Sequence, residues 1–120
     1  MAGGAGPARA GYHFEQRVKA DLGLSYHIGR AAGSKGPWDL VAMRAPAELV
    51  LVQCKVDGQL APAEWNELLS VADEVGAVAV LAQRQEPGHH LIYRRLLRRK
   101  GQHRDGQLWE PWQPARGVDW

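Results

Sequence analysis

The stretch Leu49-Val50-Leu51-Val52-Gln53-Cys54-Lys55-Val56 decides the fold. Its first four residues are all apolar, so neither face of a strand formed here suits water. Such a strand is buried on both faces and is central in its sheet. Alternation sorts the side chains: Leu49, Leu51, Gln53 and Lys55 share one face, and Val50, Val52, Cys54 and Val56 share the other. A buried strand that ends in an amide and an ammonium on one face has a use for them.

The chain on either side supplies what such a strand needs. Residues 38–43 form a preceding strand, with Asp39 at the start of its apolar run, and Ala45-Pro46-Ala47 turns the chain between the two. Further back, Phe14, Val18 and Leu22 recur every four positions and predict a helix over 12–22, ended by Gly23. Residues 24–28 alternate as a strand, and 29–37 form a loop rich in glycine with Ser34 and Pro37. On the other side, Pro62 opens a second helix, where its missing N–H costs little. Trp65, Leu68, Leu69, Ala72 and Val75 are its apolar stripe, and Gly76 closes it. Residues 77–82 are another apolar run, and strand, helix, strand in this order makes a crossover between parallel strands. Glu86-Pro87-Gly88 is a turn, 90–93 leads as a strand into a basic block, and a last strand is expected around 108–109. Residues 1–10, rich in Gly, Ala and Pro, are expected to be a flexible tail, and 11–120 a single domain with a basic C-terminal extension. The expected class is α/β, in the order α-β-β-β-α-β, with a mixed central sheet flanked by helices.

Composition bounds the function. The 120 residues suffice for one domain and not for two ordinary ones. With 45% apolar and 23% charged residues, the chain matches a soluble globular protein. No stretch approaches the roughly 20 apolar residues of a membrane span, and no basic segment followed by an apolar run marks a secretory signal. The lone Cys54 excludes an intrachain disulfide and a paired-cysteine zinc site. These features predict an intracellular, cytoplasmic protein with no membrane partner. A net charge of +2 hides an asymmetry: Arg94, Arg95, Arg98, Arg99, Lys100 and Arg104 fall close together with no acid among them. Such a block faces a polyanion, nucleic acid first of all, or else serves as a solvated, solubilising surface.

Antiparallel pairing of 38–43 with 49–56 would bring Asp39 near Gln53 and Lys55, placing a carboxylate, an amide oxygen and an ammonium together. That set suits a hard divalent cation such as Mg2+, which takes oxygen ligands, one or two carboxylates and substrate phosphate oxygens. A metal so held lowers the pKa of its water and stabilises charge on a phosphoryl group, while a lysine beside it orients the water or stabilises developing charge. Glu15, at the edge of the first helix's apolar stripe, is placed to act as a second carboxylate. Singly, each of these residues has a plainer role, Lys55 as a snorkelling strand-end lysine among them; the joint arrangement points to chemistry. His89 and His90 read as exposed turn residues, and Cys54 as a small hydrophobe on an apolar face. Trp65 packs in the core or at a subunit contact. Trp109, Trp112 and Trp120 either stack on unpaired bases or pack across a subunit contact.

Asp39 followed by Gln53-Cys54-Lys55 at the end of a buried strand resembles the PD-(D/E)xK nuclease motif, with Trp38 interposed between Pro37 and Asp39. More broadly, Phe14-Glu15, Arg30-Ala31-Ala32-Gly33-Ser34, Asp39-Leu40-Val41-Ala42 and Gln53-Cys54-Lys55 resemble the archaeal-type Holliday junction resolvases, over residues 11–80. The resemblance implies a restriction-endonuclease-like core and a homodimer that cuts four-way junction DNA with Mg2+, or Mn2+ in its place. It implies Asp39 as a metal ligand, Glu15 as a second acid near the metal, Lys55 as the catalytic lysine and the Cys54 carbonyl as a further ligand. Gln53 stands at the family's glutamate position. Arg30, Ser34 and Lys35 fall near the scissile phosphate, Ser34 also as part of the catalytic set, and Arg94, Arg95, Arg98, Arg99 and Lys100 would contact DNA. Gln53 keeps a carbonyl oxygen but loses a negative charge, so metal should bind less tightly than with three acids. Two alternatives remain: another nuclease on the same core, restriction-like or of flap or repair type, and a non-catalytic DNA-binding module with a degenerate site.

Overall fold

The computed structural model describes residues 5–30, 36–56, 59–101 and 106–116. In chain order its elements are α1 (Ala5–Leu22), β1 (His27–Arg30), β2 (Leu40–Arg44), β3 (Glu48–Lys55), α2 (Pro62–Val75), β4 (Val78–Gln85), β5 (His90–Leu96) and β6 (Trp109–Pro111). The doubly apolar run of β3 is placed as its composition demands. It pairs with β2 on one edge and β4 on the other, and a helix covers each face. All six strands form one sheet in sequence order, antiparallel throughout except for the parallel β3–β4 pair that α2 connects.

Alternation along β3 divides the core in two. Val50 and Val52 join Leu40, Ala42 and Val80 under α1, whose Phe14, Val18 and Leu22 point down onto them. Leu51 joins Ala79 and Leu81 under α2, against Trp65, Leu68, Leu69 and Ala72. Cys54 and Val56 fall on the α1 side, as the alternation requires. α2 keeps its expected limits: Pro62 stands in the first turn, and Gly76 caps the end in the left-handed conformation at φ 74° that glycine adopts without a Cβ clash.

The remaining boundaries shift for identifiable reasons. α1 begins at Ala5 rather than near Tyr12, so much of the Gly/Ala/Pro-rich start is helical; Pro7 lies in the first turn, where no i−4 partner is lost. Its end is fixed at Gly23, where a Cβ would stand 2.9 Å from the Lys19 carbonyl oxygen. The expected strand at 24–28 starts only at His27, because Ser25 and Tyr26 N–H groups turn back onto the Leu22 carbonyl, leaving Leu24 72% exposed. β4 runs on through Gln85 and β5 through Leu96, each beyond its apolar run, because ladder pairing with a neighbour extends the strand after the apolar signal stops. Arg94 and Arg95 are therefore strand residues.

Arg98 to Lys100 dock on α2. The buried Trp65 indole donates to the Arg98 carbonyl at 2.8 Å, and Asn66 both accepts from the Lys100 N–H at 2.8 Å and donates to its carbonyl at 3.2 Å. Arg99 donates to the Ser70 hydroxyl. Among the described residues no helix is long and apolar enough to cross a membrane.

Leu68 is fully buried beneath α2, whereas Leu24 is mostly exposed. Leu68→Ala is expected to lower the unfolding free energy by about 2–5 kcal/mol, and Leu24→Ala to change it by less than about 0.5 kcal/mol. Urea denaturation monitored by tryptophan fluorescence measures both; a large loss at Leu24 would restore the longer first strand.

Candidate functional site

The site forms where β2 begins and β3 ends. The β2–β3 register ends with Leu40 opposite Val52, and Gln53 is the next residue of β3. The Asp39 N–H donates to the Val52 carbonyl at 2.7 Å, so the pairing reaches Asp39 before β2 gives out. β3 continues past that point, held by β4 on its other edge through Cys54 opposite Ala82 and Lys55 opposite Gln83. The Cys54 N–H faces the side that β2 has left, and the Asp39 carboxylate takes the missing strand's place, accepting from it at Oδ2 over 2.8 Å. The N–H and C=O of one strand residue point to the same edge, so the Cys54 carbonyl opens onto Asp39 as well.

Gln53 precedes Cys54 on β3. Its Oε1 is buried and has no hydrogen-bond partner among the described residues. An amide oxygen withdrawn from water and left unbonded is unfavourable by about 1–3 kcal/mol. A cation between the Asp39 carboxylate and this oxygen would satisfy it, and both are the hard oxygen donors that Mg2+ selects. Among the described residues no three His, Cys, Asp or Glu side chains gather for a metal, so any cation here would rely on one carboxylate together with the neutral oxygens of Gln53 and Cys54.

Glu15 reaches the site from α1, as the stripe-edge position suggested. Its carboxylate, with 15% of the side chain exposed, accepts from Arg30 Nε at 2.6 Å. Its charge, that of Arg30 and that of Lys55 all act on Asp39. Lys55 has no hydrogen bond or ion pair among the described residues, which leaves its ammonium available. Four of the expected site residues, Glu15, Arg30, Asp39 and Lys55, thus come together near the Cys54 backbone, and Gln53 is its neighbour along β3. Ser34 and Lys35 lie outside the described residues.

Burial raises the Asp39 carboxyl above its usual 3.8, and the charge of Glu15 adds to the shift; the Cys54 N–H, Arg30 and Lys55 oppose it. Burial also pushes the Cys54 thiol far up, reinforced by Asp39 and Glu15. It is a packed thiol, not a nucleophile, consistent with its place on the apolar face. His89 is an exposed turn residue that bonds to Glu86.

The basic block divides by face. Arg94 lies over the Trp109 ring at 4.3 Å and Lys100 Nζ over the Trp65 ring at 4.2 Å, whereas Arg95 pairs with Glu110 at 3.8 Å. Trp112 packs against Tyr26 and Tyr93 at the other core, and Trp120 lies outside the described residues. Gln83, paired with Lys55 across β3–β4 and buried, was absent from the expected set. The signal for it was a polar residue closing an apolar strand, the same signal that marks Gln53.

A carboxyl whose folded pKa is raised disfavours the fold when ionised. That penalty is full above the folded pKa, declines as pH falls through it, and is gone below 3.8, where the group is neutral in both states. Asp39→Asn keeps an oxygen to accept from Cys54 and removes the charge. It is expected to raise the thermal midpoint at pH 7, by an amount that shrinks on acidification. A lower midpoint at pH 7 would show that the charged hydrogen bond to Cys54 outweighs the burial of Asp39.

No family model matches the chain, and no curated protein matches it. Among solved structures it is similar to Hjc, a Holliday junction resolvase from the archaeal hyperthermophile Archaeoglobus fulgidus. The TM-score is 0.58 and the identity 23%, over 69% of this chain and 70% of that one. The expected α/β class, a mixed sheet with flanking helices, is what the two structures share. The chain has the fold of an archaeal Holliday junction resolvase.

Proposed function

We propose that the chain is a metal-dependent DNA endonuclease that cuts four-way junctions as a homodimer. One observation carries this: at the end of β3 the Asp39 carboxylate is fixed by the Cys54 N–H, with the Lys55 ammonium acting on it and with Gln53, whose oxygen has no partner among the described residues, next along the strand. The likeness of fold to Hjc, described as a Holliday junction resolvase, supports the choice of substrate. The site also lies at the carboxyl ends of the parallel strands β3 and β4, where α/β sheets place their ligands.

Asp39, Gln53 and the Cys54 carbonyl would hold Mg2+, or Mn2+ in its place. The ion, when bound, supplies an activated water and neutralises charge on the phosphate. Lys55 provides positive charge where the non-bridging oxygens become more negative. Glu15 and Arg30 act as a pair: Arg30 offers a guanidinium to a phosphate, and its release from Glu15 would free the second carboxylate. Residue 53 as glutamine leaves the site one negative charge poorer than three acids would. Two equivalent strands of a junction call for two equivalent sites, which a two-fold dimer presents.

The Arg30–Glu15 pair, which occupies the second acid, favours one other reading: a junction-binding domain that does not cut. A cleavage assay separates the two. Labelled four-way junction, flap, duplex and single-stranded DNA of matched sequence are incubated with protein and Mg2+. Paired symmetric nicks in the junction alone are expected. Lys55→Ala should slow them by about 10²- to 10³-fold. Gln53→Glu, which restores a charge, should lower the Mg2+ concentration needed for half-maximal rate. Cleavage of duplex or flap instead moves the function to another nuclease type. Binding without cleavage in Mg2+ and Mn2+ establishes the non-catalytic domain.

A further inference from the structure

A cavity of about 170 Å³ lies on the α2 face of the sheet, between the start of α2 and strands β4, β5 and β6. Arg94, Lys100, Trp65, Trp109 and Gln83 are among its walls, and no acidic residue among the described residues lines it. Both cations are held in place. Arg94 rests on Trp109 and Lys100 on Trp65, and Lys100 is further fixed through its backbone by Asn66. Neither has an ion pair among the described residues, in contrast to Arg95. Two cations brought together in a half-enclosed space repel each other and lose hydration, and an anion between them relieves both.

The sheet register ties this cavity to the candidate site. Gln53 is opposite Leu81, and Leu81 is opposite Arg94, so the three share a face and stand in one row across β3, β4 and β5. At about 4.8 Å per strand, Arg94 is roughly 10 Å from Gln53. Successive phosphates of one DNA strand rise about 3.4 Å along the axis but stand about 6–7 Å apart through space, so that distance spans one or two phosphates.

We propose that the cavity is a second phosphate subsite, which takes a backbone phosphate of the bound strand one or two nucleotides from the one at Gln53. This rests on the nuclease reading given above. Arg94 and Lys100 would hold the phosphate, and the two tryptophans pre-set their positions, so little side-chain freedom is lost on binding. The subsite would fix the register of the strand over Asp39 without reading its sequence.

The test is junction affinity against salt, measured by fluorescence anisotropy in EDTA on wild-type protein, Arg94→Gln, Lys100→Gln, Arg94→Lys and Lys19→Gln. Each of the first two variants should lower the slope of log Kd against log salt by about 0.9. Arg94→Lys keeps the charge and should retain the wild-type slope. Lys19→Gln, on exposed α1, makes the same change in net charge and should leave the slope unchanged. A scan of neutral methylphosphonates along the strand should find one position, one or two nucleotides from the cut, that weakens wild-type protein and not Arg94→Gln. Thermal unfolding of each variant identifies loss of fold, and Lys100→Gln carries the test should Arg94→Gln unfold. Equal slopes in all folded variants overturn the subsite and leave the nuclease reading standing, since cleavage by the same wild-type preparation is scored separately in Mg2+. A wild-type protein that binds no DNA overturns both.

Discussion

The Asp39 carboxylate accepting from the Cys54 N–H is the contact on which the candidate site depends. β3 must be long, because both of its faces are buried under helices. β2 is shorter, so the last residues of β3 lose a partner on one edge. A backbone N–H left there without a partner would be unfavourable by about 1–3 kcal/mol. A carboxylate removes that cost only if it is held close to the strand, and holding it there partly buries its charge. The raised pKa of Asp39 is the result. One contact therefore finishes the sheet and leaves an anionic oxygen pair where a cation would be welcome. Poor stability of an ionised group at a site of use is a common compromise.

The same strand end explains why the neighbours are polar. Gln53 and Lys55 fall on the α2 face and Gln83 follows beside them on β4, where the sheet runs out from under the helix. An interior fold would place leucines there. The unbonded Gln53 oxygen and the free Lys55 ammonium have no structural purpose among the described residues. They gain one if a cation and a phosphate come to this end of the sheet.

Much of this was legible in the residues. Four apolar neighbours in 49–52 make β3 central, and the period of two places Gln53 and Lys55 on one face. Pro62 and Gly76 give α2 its limits, and its expected stripe is buried from Trp65 to Ala72 but not at Val75, which is exposed in the last turn. Glu15 at the stripe edge did reach the site. Other features were not legible, because they depend on partners distant in sequence. Ser25 and Tyr26 turn back onto Leu22, so the alternation at 24–28 did not become a strand. Pairing with β4 and β6 drew Arg94 and Arg95 into a strand, where they point to opposite faces. A block of like charges looks uniform in sequence, and only the register shows that Arg94 shares a row with Gln53 while Arg95 meets Glu110. The carboxylate bond to Cys54 was likewise out of reach, since it depends on where one strand ends relative to the next.

The most direct test of the metal site is crystallographic. Crystals soaked in Mn2+ and measured at its absorption edge would locate the ion by anomalous scattering. A single peak is expected about 2.0–2.3 Å from an Asp39 carboxylate oxygen and from Gln53 Oε1, lost in Asp39→Asn. The absence of such a peak at high Mn2+ occupancy elsewhere, with Gln53 Oε1 bonded instead to water or to the protein, would contradict the metal site.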